Sequence, residues 1–304
     1  FRPKDGLHWT QQAAPFSKTL AFRETPRMGV IKITKIICLL TLLFMLFSCE
    51  NETWIKPESN SLGCSDYLSI KSPDGTLYNN VWNKKAAKSY KWTQCLEKNP
   101  IIGGEIYGWS WDWPSSNNVI YAYPQIKLGS SPWDPKPLVD DQFPLKISEL
   151  NELTISHDVL IDTNGQHNLA TSMWLIDSPN EVKKLSKSSI MAELMIWTYS
   201  TPEHFNPAGK LYDTFKAGNK NWEVWVEKNW GDLSGENDNK WTYVTFRATN
   251  SDLKSSFNAL ELIQYAIEKD ILKQEWYISD IELGTEIMSG AGIAWINSFN
   301  VDFK

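Results

Sequence analysis

The sequence predicts an all-β domain of the sandwich, jelly-roll or barrel kind. Three observations carry this. Short segments of alternating apolar and polar residues recur from Asp66 onward, clusters of Gly, Pro, Asn and Asp separate them, and no linker or repeat interrupts the series. In order, the segments fall at 78–83, 105–113, 120–127, 152–161, 169–176, 191–198, 222–226, 241–248, 274–283 and 294–303. One stretch has a different period. Leu253, Phe257, Leu260, Ile263 and Ile267 recur at helical spacing, behind Asn250, Ser251 and Asp252 as capping residues. They predict a single amphipathic α-helix over about 252–269, its apolar stripe packed on a sheet.

The beginning of the chain reads as export machinery. Residues 1–27 show no periodicity and Met28 is the better start, so 1–27 are expected to lie outside the native protein. Lys32 and Lys35 precede an apolar run over 36–47 and the small pair Ser48-Cys49, the layout of a signal peptide over 28–48. The run is short of the roughly twenty residues that a membrane span needs. Leu46-Phe47-Ser48-Cys49 resembles a bacterial lipobox, which makes Cys49 the expected lipidation site. Residues 49–63, polar and containing Pro57, are expected to form a flexible tether ahead of a domain over 64–304. The expected location is outside the cytoplasm: anchored to a bacterial outer membrane or cell surface through Cys49, or otherwise secreted.

Setting aside Cys38 and Cys49 leaves Cys64 and Cys95, a pair expected to form a disulfide in an oxidising compartment. Two isolated cysteines and four scattered histidines offer no metal-ligand cluster, so no metal and no cofactor are expected. His157, His167 and His204 read most simply as loop residues. The net charge of −6 argues against a nucleic-acid partner. Sixteen tryptophans and eleven tyrosines instead suit stacking on sugar rings, although β-sheets favour aromatic residues in any case. There is no Gly-x-Ser-x-Gly elbow, phosphate-binding glycine loop or His-Glu-x-x-His helix.

The most informative residue is Glu193, set in Met191-Ala192-Glu193-Leu194-Met195-Ile196-Trp197-Thr198-Tyr199. Alternation puts Ala192, Leu194, Ile196 and Thr198 on one face, read as core. Met191, Glu193, Met195, Trp197 and Tyr199 lie on the other. A carboxylate on so apolar a face is costly unless it is paired or used. A second candidate, Glu286, follows a predicted strand in Leu283-Gly284-Thr285-Glu286-Ile287-Met288-Ser289-Gly290, where the glycines permit a bend that re-aims a side chain. Alone it reads as a turn residue. Together the two carboxyls offer what glycoside hydrolysis needs, a nucleophile and a proton donor whose pKa is raised by burial and by its neighbour's charge.

These segments resemble glycoside hydrolase family 12. Glu193-Leu194-Met195-Ile196-Trp197 looks like its nucleophile strand and Gly284-Thr285-Glu286 like its acid/base segment. Asn79-Asn80-Val81-Trp82 resembles its Asn-Asn-x-Trp, and Trp111-Asp112-Trp113 with Asn117-Asn118-Val119 resembles its tryptophan-rich strand and turn. The resemblance covers roughly 64–304 and also fits the Cys64–Cys95 disulfide and the lone helix. It implies a β-jelly roll of two curved antiparallel sheets with one helix. It further implies a retaining endo-β-1,4-glucanase that cleaves cellulose-like chains or xyloglucan by double displacement; a monomer and some preference for xyloglucan are expected beside it. Glu193 would be the nucleophile and Glu286 the general acid/base; Asn80, Trp82, Trp111, Trp113, Ser172, Met195 and Trp197 would contact the polysaccharide. One departure stands out. Where the family carries an aspartate that hydrogen-bonds the nucleophile, Thr171-Ser172-Met173-Trp174 places Ser172, which can donate a hydrogen bond to Glu193 but brings no second negative charge. The loop over 130–142, with Pro132, Trp133, Pro135 and Pro137, is stiff enough to shape one end of a cleft. The rival reading is a non-catalytic glycan-binding surface lipoprotein on the same fold, since jelly rolls host lectins as well as enzymes. Two carboxyls facing one bond distinguish the enzyme.

Overall fold

The computed structural model describes residues 54–101, 104–115, 119–134, 142–178, 190–231 and 238–304. The expected start at Met28, the signal segment and Cys49 lie outside these residues, as do Asn117, Asn118, Pro135 and Pro137.

The described strands are β1 (Asn60–Gly63), β2 (Ser69–Ser72), β3 (Gly75–Tyr78), β4 (Thr93–Ile101), β5 (Gly104–Trp113), β6 (Gln125–Gly129), β7 (Leu145–Lys146), β8 (Leu153–Thr163) and β9 (Asn168–Ile176). They continue with β10 (Ile190–Ser200), β11 (Lys210–Ala217), β12 (Lys220–Gly231), β13 (Lys240–Ala248), β14 (Lys254–Asn258), β15 (Tyr277–Ile278), β16 (Asp280–Gly284) and β17 (Gly290–Phe303). One sheet runs β1-β4-β5-β17-β8-β14. The other runs β11-β12-β13-β10-β9-β16-β6-β3-β2, with the short β15 pairing β9 and β7 pairing β15. Pairings are antiparallel except β10 with β13, which is parallel. The fold is the predicted jelly-roll sandwich.

Period-2 alternation divides the larger sheet. Met173 and Leu175 of β9, Ala192, Leu194 and Ile196 of β10, Val244 and Phe246 of β13, and Ile281 and Leu283 of β16 are buried in one hydrophobic core. Their alternates, including Ser172, Glu193, Met195, Trp197, Tyr243 and Glu282, point to the opposite face and line a cavity. That division is why Glu193 can sit on a rigid central strand without entering the core.

Several boundaries differ from the sequence reading. The strand read at 78–83 ends at Tyr78, because Asn79 and Asn80 turn the chain: Asn79 Nδ2 donates to the carbonyls of Ser65 and Gln94. The helix, α1 (Ala259–Glu268), begins later than its apolar spacing implied. Lys254–Asn258 pair with β8 as β14, and the cap is Asn258, whose side chain accepts from Glu261 N at 3.2 Å. Phe257 satisfied both periods, so spacing alone placed the helix start too early.

The expected tether is also corrected over its described part. Asn60–Gly63 pair with β4, Trp54 Nε1 donates to Asp162 at 3.1 Å, and Lys56 and Ser59 both reach the buried carboxylate of Glu97. A buried carboxylate needs such partners, and it draws this segment onto the domain. Cys64, just after β1, is bonded to Cys95 of β4. The three histidines read as loop residues are buried. His157 lies within β8, bonded to Thr198 Oγ1 at 3.1 Å and to the Leu253 carbonyl at 3.2 Å, and burial pushes its pKa down to about 4.

Candidate active site

The cavity of about 690 Å³ opens on the face of the larger sheet opposite the core. Its lining crosses the strands: Tyr243 on β13, Glu193 and Met195 on β10, Ser172 and Trp174 on β9, Glu282 on β16, Gln125 on β6 and Tyr78 on β3. A polymer laid in it would run across the strands, meeting side chains from one strand after another.

Glu193 is flanked by Trp174 on β9 and Tyr243 on β13. Its Oε2 accepts a hydrogen bond from Trp241 Nε1 at 3.2 Å. Burial, then the charge of Glu286, and further Asp280, raise its pKa to about 8, against the lowering effect of the indole N–H. Trp241 also meets Trp174 and Trp133 edge to face, with ring centroids 5.6 and 5.8 Å apart, so an aromatic corner stands beside the carboxyl.

Glu286 follows β16 on a turn fixed from several directions. Asn168, buried at the start of β9, accepts from Glu286 N at 2.8 Å, donates its side-chain amide to Glu286 Oε2, and donates its own N–H to the Glu286 carbonyl at 3.2 Å. Trp109 Nε1 anchors the preceding Thr285 hydroxyl at 2.9 Å, and Ile287 bridges Ala122 and His167. Gly284 lets the strand pass: a Cβ there would lie 2.6 Å from the Pro124 carbonyl oxygen. Burial raises the Glu286 pKa to about 7, and the Asn168 amide opposes the rise.

Of the residues singled out from the sequence, Glu193, Glu286, Asn80, Trp82, Ser172, Met195 and Trp197 line this one cavity. Asn80 Nδ2 donates to Gln125 Oε1 at 3.3 Å, and Tyr243 OH donates to Met195 Sδ at 3.3 Å. Trp111 and Trp113 are corrected: they lie in the hydrophobic core of the smaller sheet, where Trp113 is stacked between Trp92 and Tyr121 at 4.3 and 5.0 Å. Alternation along β5 turns these rings inward.

The role foreseen for Ser172 is corrected as well. In register it faces Met195 on one side and Glu282 on the other, and the hydrogen bond to Glu193 comes from Trp241. Negative charge near the pair comes from Asp280 on β16. Asn168, Trp241, Asp280 and Glu282 were missed. For the last two a signal existed, because Asp280-Ile281-Glu282-Leu283 alternates charge with core residues in the manner of the segment around Glu193.

Known proteins place this arrangement. Residues 74–304 match the description of glycosyl hydrolase family 12. The chain is 31% identical to "Endoglucanase S" of Pectobacterium parmentieri over 229 residues, covering 75% of this chain and 81% of that protein. It is 23% identical over 239 residues to "Inactive glycoside hydrolase XLP1" of Phytophthora nicotianae, covering 77% and 88%. Among solved structures, the native family 12 xyloglucanase from Bacillus licheniformis superposes with a TM-score of 0.68 at 25% identity, covering 81% of this chain and 100% of that one. The protein is a glycosidase acting on β-glucans, and the chain belongs to glycosyl hydrolase family 12.

Proposed function

We propose that the protein is a retaining endo-β-1,4-glucanase in which Glu193 is the nucleophile and Glu286 the general acid/base. The observation that carries this reading is that two buried carboxyls, one on a rigid strand and one on a clamped turn, share one cavity, and that the charge of Glu286 adds to the cost of ionising Glu193. In the free site Glu193 at about 8 lies above Glu286 at about 7, so a proton shared by the pair rests on Glu193 and bound substrate must move it to Glu286. Trp241 favours the ionised form of Glu193, and a glycosidic oxygen beside Glu286 favours the protonated form of that residue.

In the first step a Glu193 oxygen bonds to the anomeric carbon as the bond to the leaving oxygen breaks, and Glu286 gives that oxygen its proton. This leaves a glycosyl ester on Glu193 and an ionised Glu286. In the second step Glu286 takes a proton from water as the water oxygen bonds to the anomeric carbon, and Glu193 departs as a carboxylate. Both residues return to their starting states and the configuration is retained.

The open, aromatic-lined cavity suits an internal stretch of polymer, and the likeness to a xyloglucanase supports some preference for xyloglucan over unbranched chains. The Cys64–Cys95 bond supports export. We place the enzyme at a cell surface as a monomer, held through acylated Cys49. Glu193→Gln and Glu286→Gln should each abolish hydrolysis of xyloglucan, mixed-linkage glucan and cellulose while preserving the fold. Full activity in both variants would sink the assignment, and equal initial rates on the three polymers would remove the preference.

A further inference from the structure

Glu282 stands on the cavity floor, 3% exposed, with no role in the mechanism above. Its neighbours have evident work. Asp280 Oδ1 accepts from Trp174 N and Ser279 Oγ, each at 3.1 Å. Lys127 forms an ion pair with Asp134, whose Oδ2 receives Ser131 N at 3.0 Å and so fastens the turn that carries Trp133. The Glu282 carboxyl donates its proton to Asp280, and no donor among the described residues hydrogen-bonds that carboxyl; Tyr123 OH reaches only its backbone carbonyl, at 3.4 Å. A buried carboxyl aimed into a cavity without a donor is costly unless something else satisfies it.

Strand register says what that could be. Ser172 lies between Met195 of β10 and Glu282 of β16, and all three line the cavity. Glu282 is therefore two strand spacings, about 10 Å, from the strand that bears Glu193. It lies along the direction that a polymer crossing the strands would take. The Ser172 hydroxyl likewise has no protein partner among the described residues.

We propose that Glu282 and Ser172 together form a substrate subsite on the floor of the cleft, binding a hydroxyl of the glucan chain away from the scissile bond. The proposal rests on the β-glucanase reading of the site. Burial, and then the charge of Asp280, hold the Glu282 carboxyl protonated well above the usual range against the opposing charge of Lys127, so its O–H serves Asp280 and its carbonyl oxygen is left as an acceptor toward the cavity. A sugar hydroxyl can donate to that oxygen while accepting from the Ser172 hydroxyl beside it. Lys127, the nearby cation, is engaged by Asp134.

The test is calorimetric binding of cellotetraose to the Glu193→Gln enzyme, with and without further changes. Adding Glu282→Leu should weaken binding about tenfold, the worth of one or two buried hydrogen bonds. Replacing Leu by Gln at 282, which restores a neutral donor and acceptor, should recover most of the loss. Equal affinity with Glu and Leu at 282 overturns the proposal. If the Glu282→Leu chain does not fold, Ser172→Ala in the same background decides: a three- to fivefold loss supports the subsite, and unchanged binding overturns it. Wild-type hydrolysis by the Glu193→Gln enzyme would instead overturn the catalytic assignment, so the two failures are distinct.

Discussion

Asn168 grips Glu286 by both side chain and backbone, accepting from its N–H at 2.8 Å and donating to its carboxyl and its carbonyl. The acid/base candidate is thus aimed by a residue more than a hundred positions away in sequence. Asn168→Ala should lower kcat by about 10- to 100-fold through a loosened Glu286, with a smaller change in KM. Steady-state kinetics on a soluble β-glucan checks this, and an unchanged kcat would show that the turn holds its geometry without Asn168.

Trp241 is predicted to act through the ionisation of Glu193. Its N–H stabilises the carboxylate, so Trp241→Phe removes a lowering influence and raises the Glu193 pKa. The acid limb of the kcat/KM profile, where the nucleophile must lose its proton, should move to higher pH. A profile that keeps its acid limb would assign that limb to another group.

Stability should fall as pH rises, and the sign follows from linkage. Glu193 at about 8 and Glu286 at about 7 lie above the ordinary 4.5, so between these values the folded chain binds more protons than the unfolded one. Stability from these groups is full below about pH 4.5 and is lost as pH rises through 7 and 8. Glu193→Gln and Glu286→Gln should therefore melt several degrees above wild type at pH 8 and close to it at pH 5. Thermal unfolding at the two pH values measures the difference; parallel curves would place the proton uptake elsewhere.

The disulfide closes a separation of 31 residues between Cys64 and Cys95. Cys64→Ser with Cys95→Ser should cost about 3–4 kcal/mol by loop entropy. The cavity lies on the other sheet, so kcat at moderate temperature should change little. Denaturant unfolding gives the first quantity, and a loss under 1 kcal/mol would show that contacts of the segment from Trp54 to Gly63 already restrain the unfolded chain.

The sequence by itself determined the all-β class, an α-helix ending near Glu268 and the out-of-place carboxyl of Glu193. These features are local: alternation fixes which face each strand buries, and a charge on an apolar face is visible without knowing its neighbours. Glu193 was legible for that reason, and Asp280 and Glu282 carried the same signal. Only the tertiary structure decided the rest. Phe257 fits both a period of 2 and one of 3.6, so only pairing with β8 could assign it to β14. The alternation of Trp111 and Trp113 does not say which face is the core. Strand register put Ser172 opposite Met195 and Glu282 and left Glu193 to Trp241, while a polar segment became part of the sheet because Glu97 needed partners. Register and long-range pairing join residues far apart in the chain, and periodicity carries no record of which strand lies beside which.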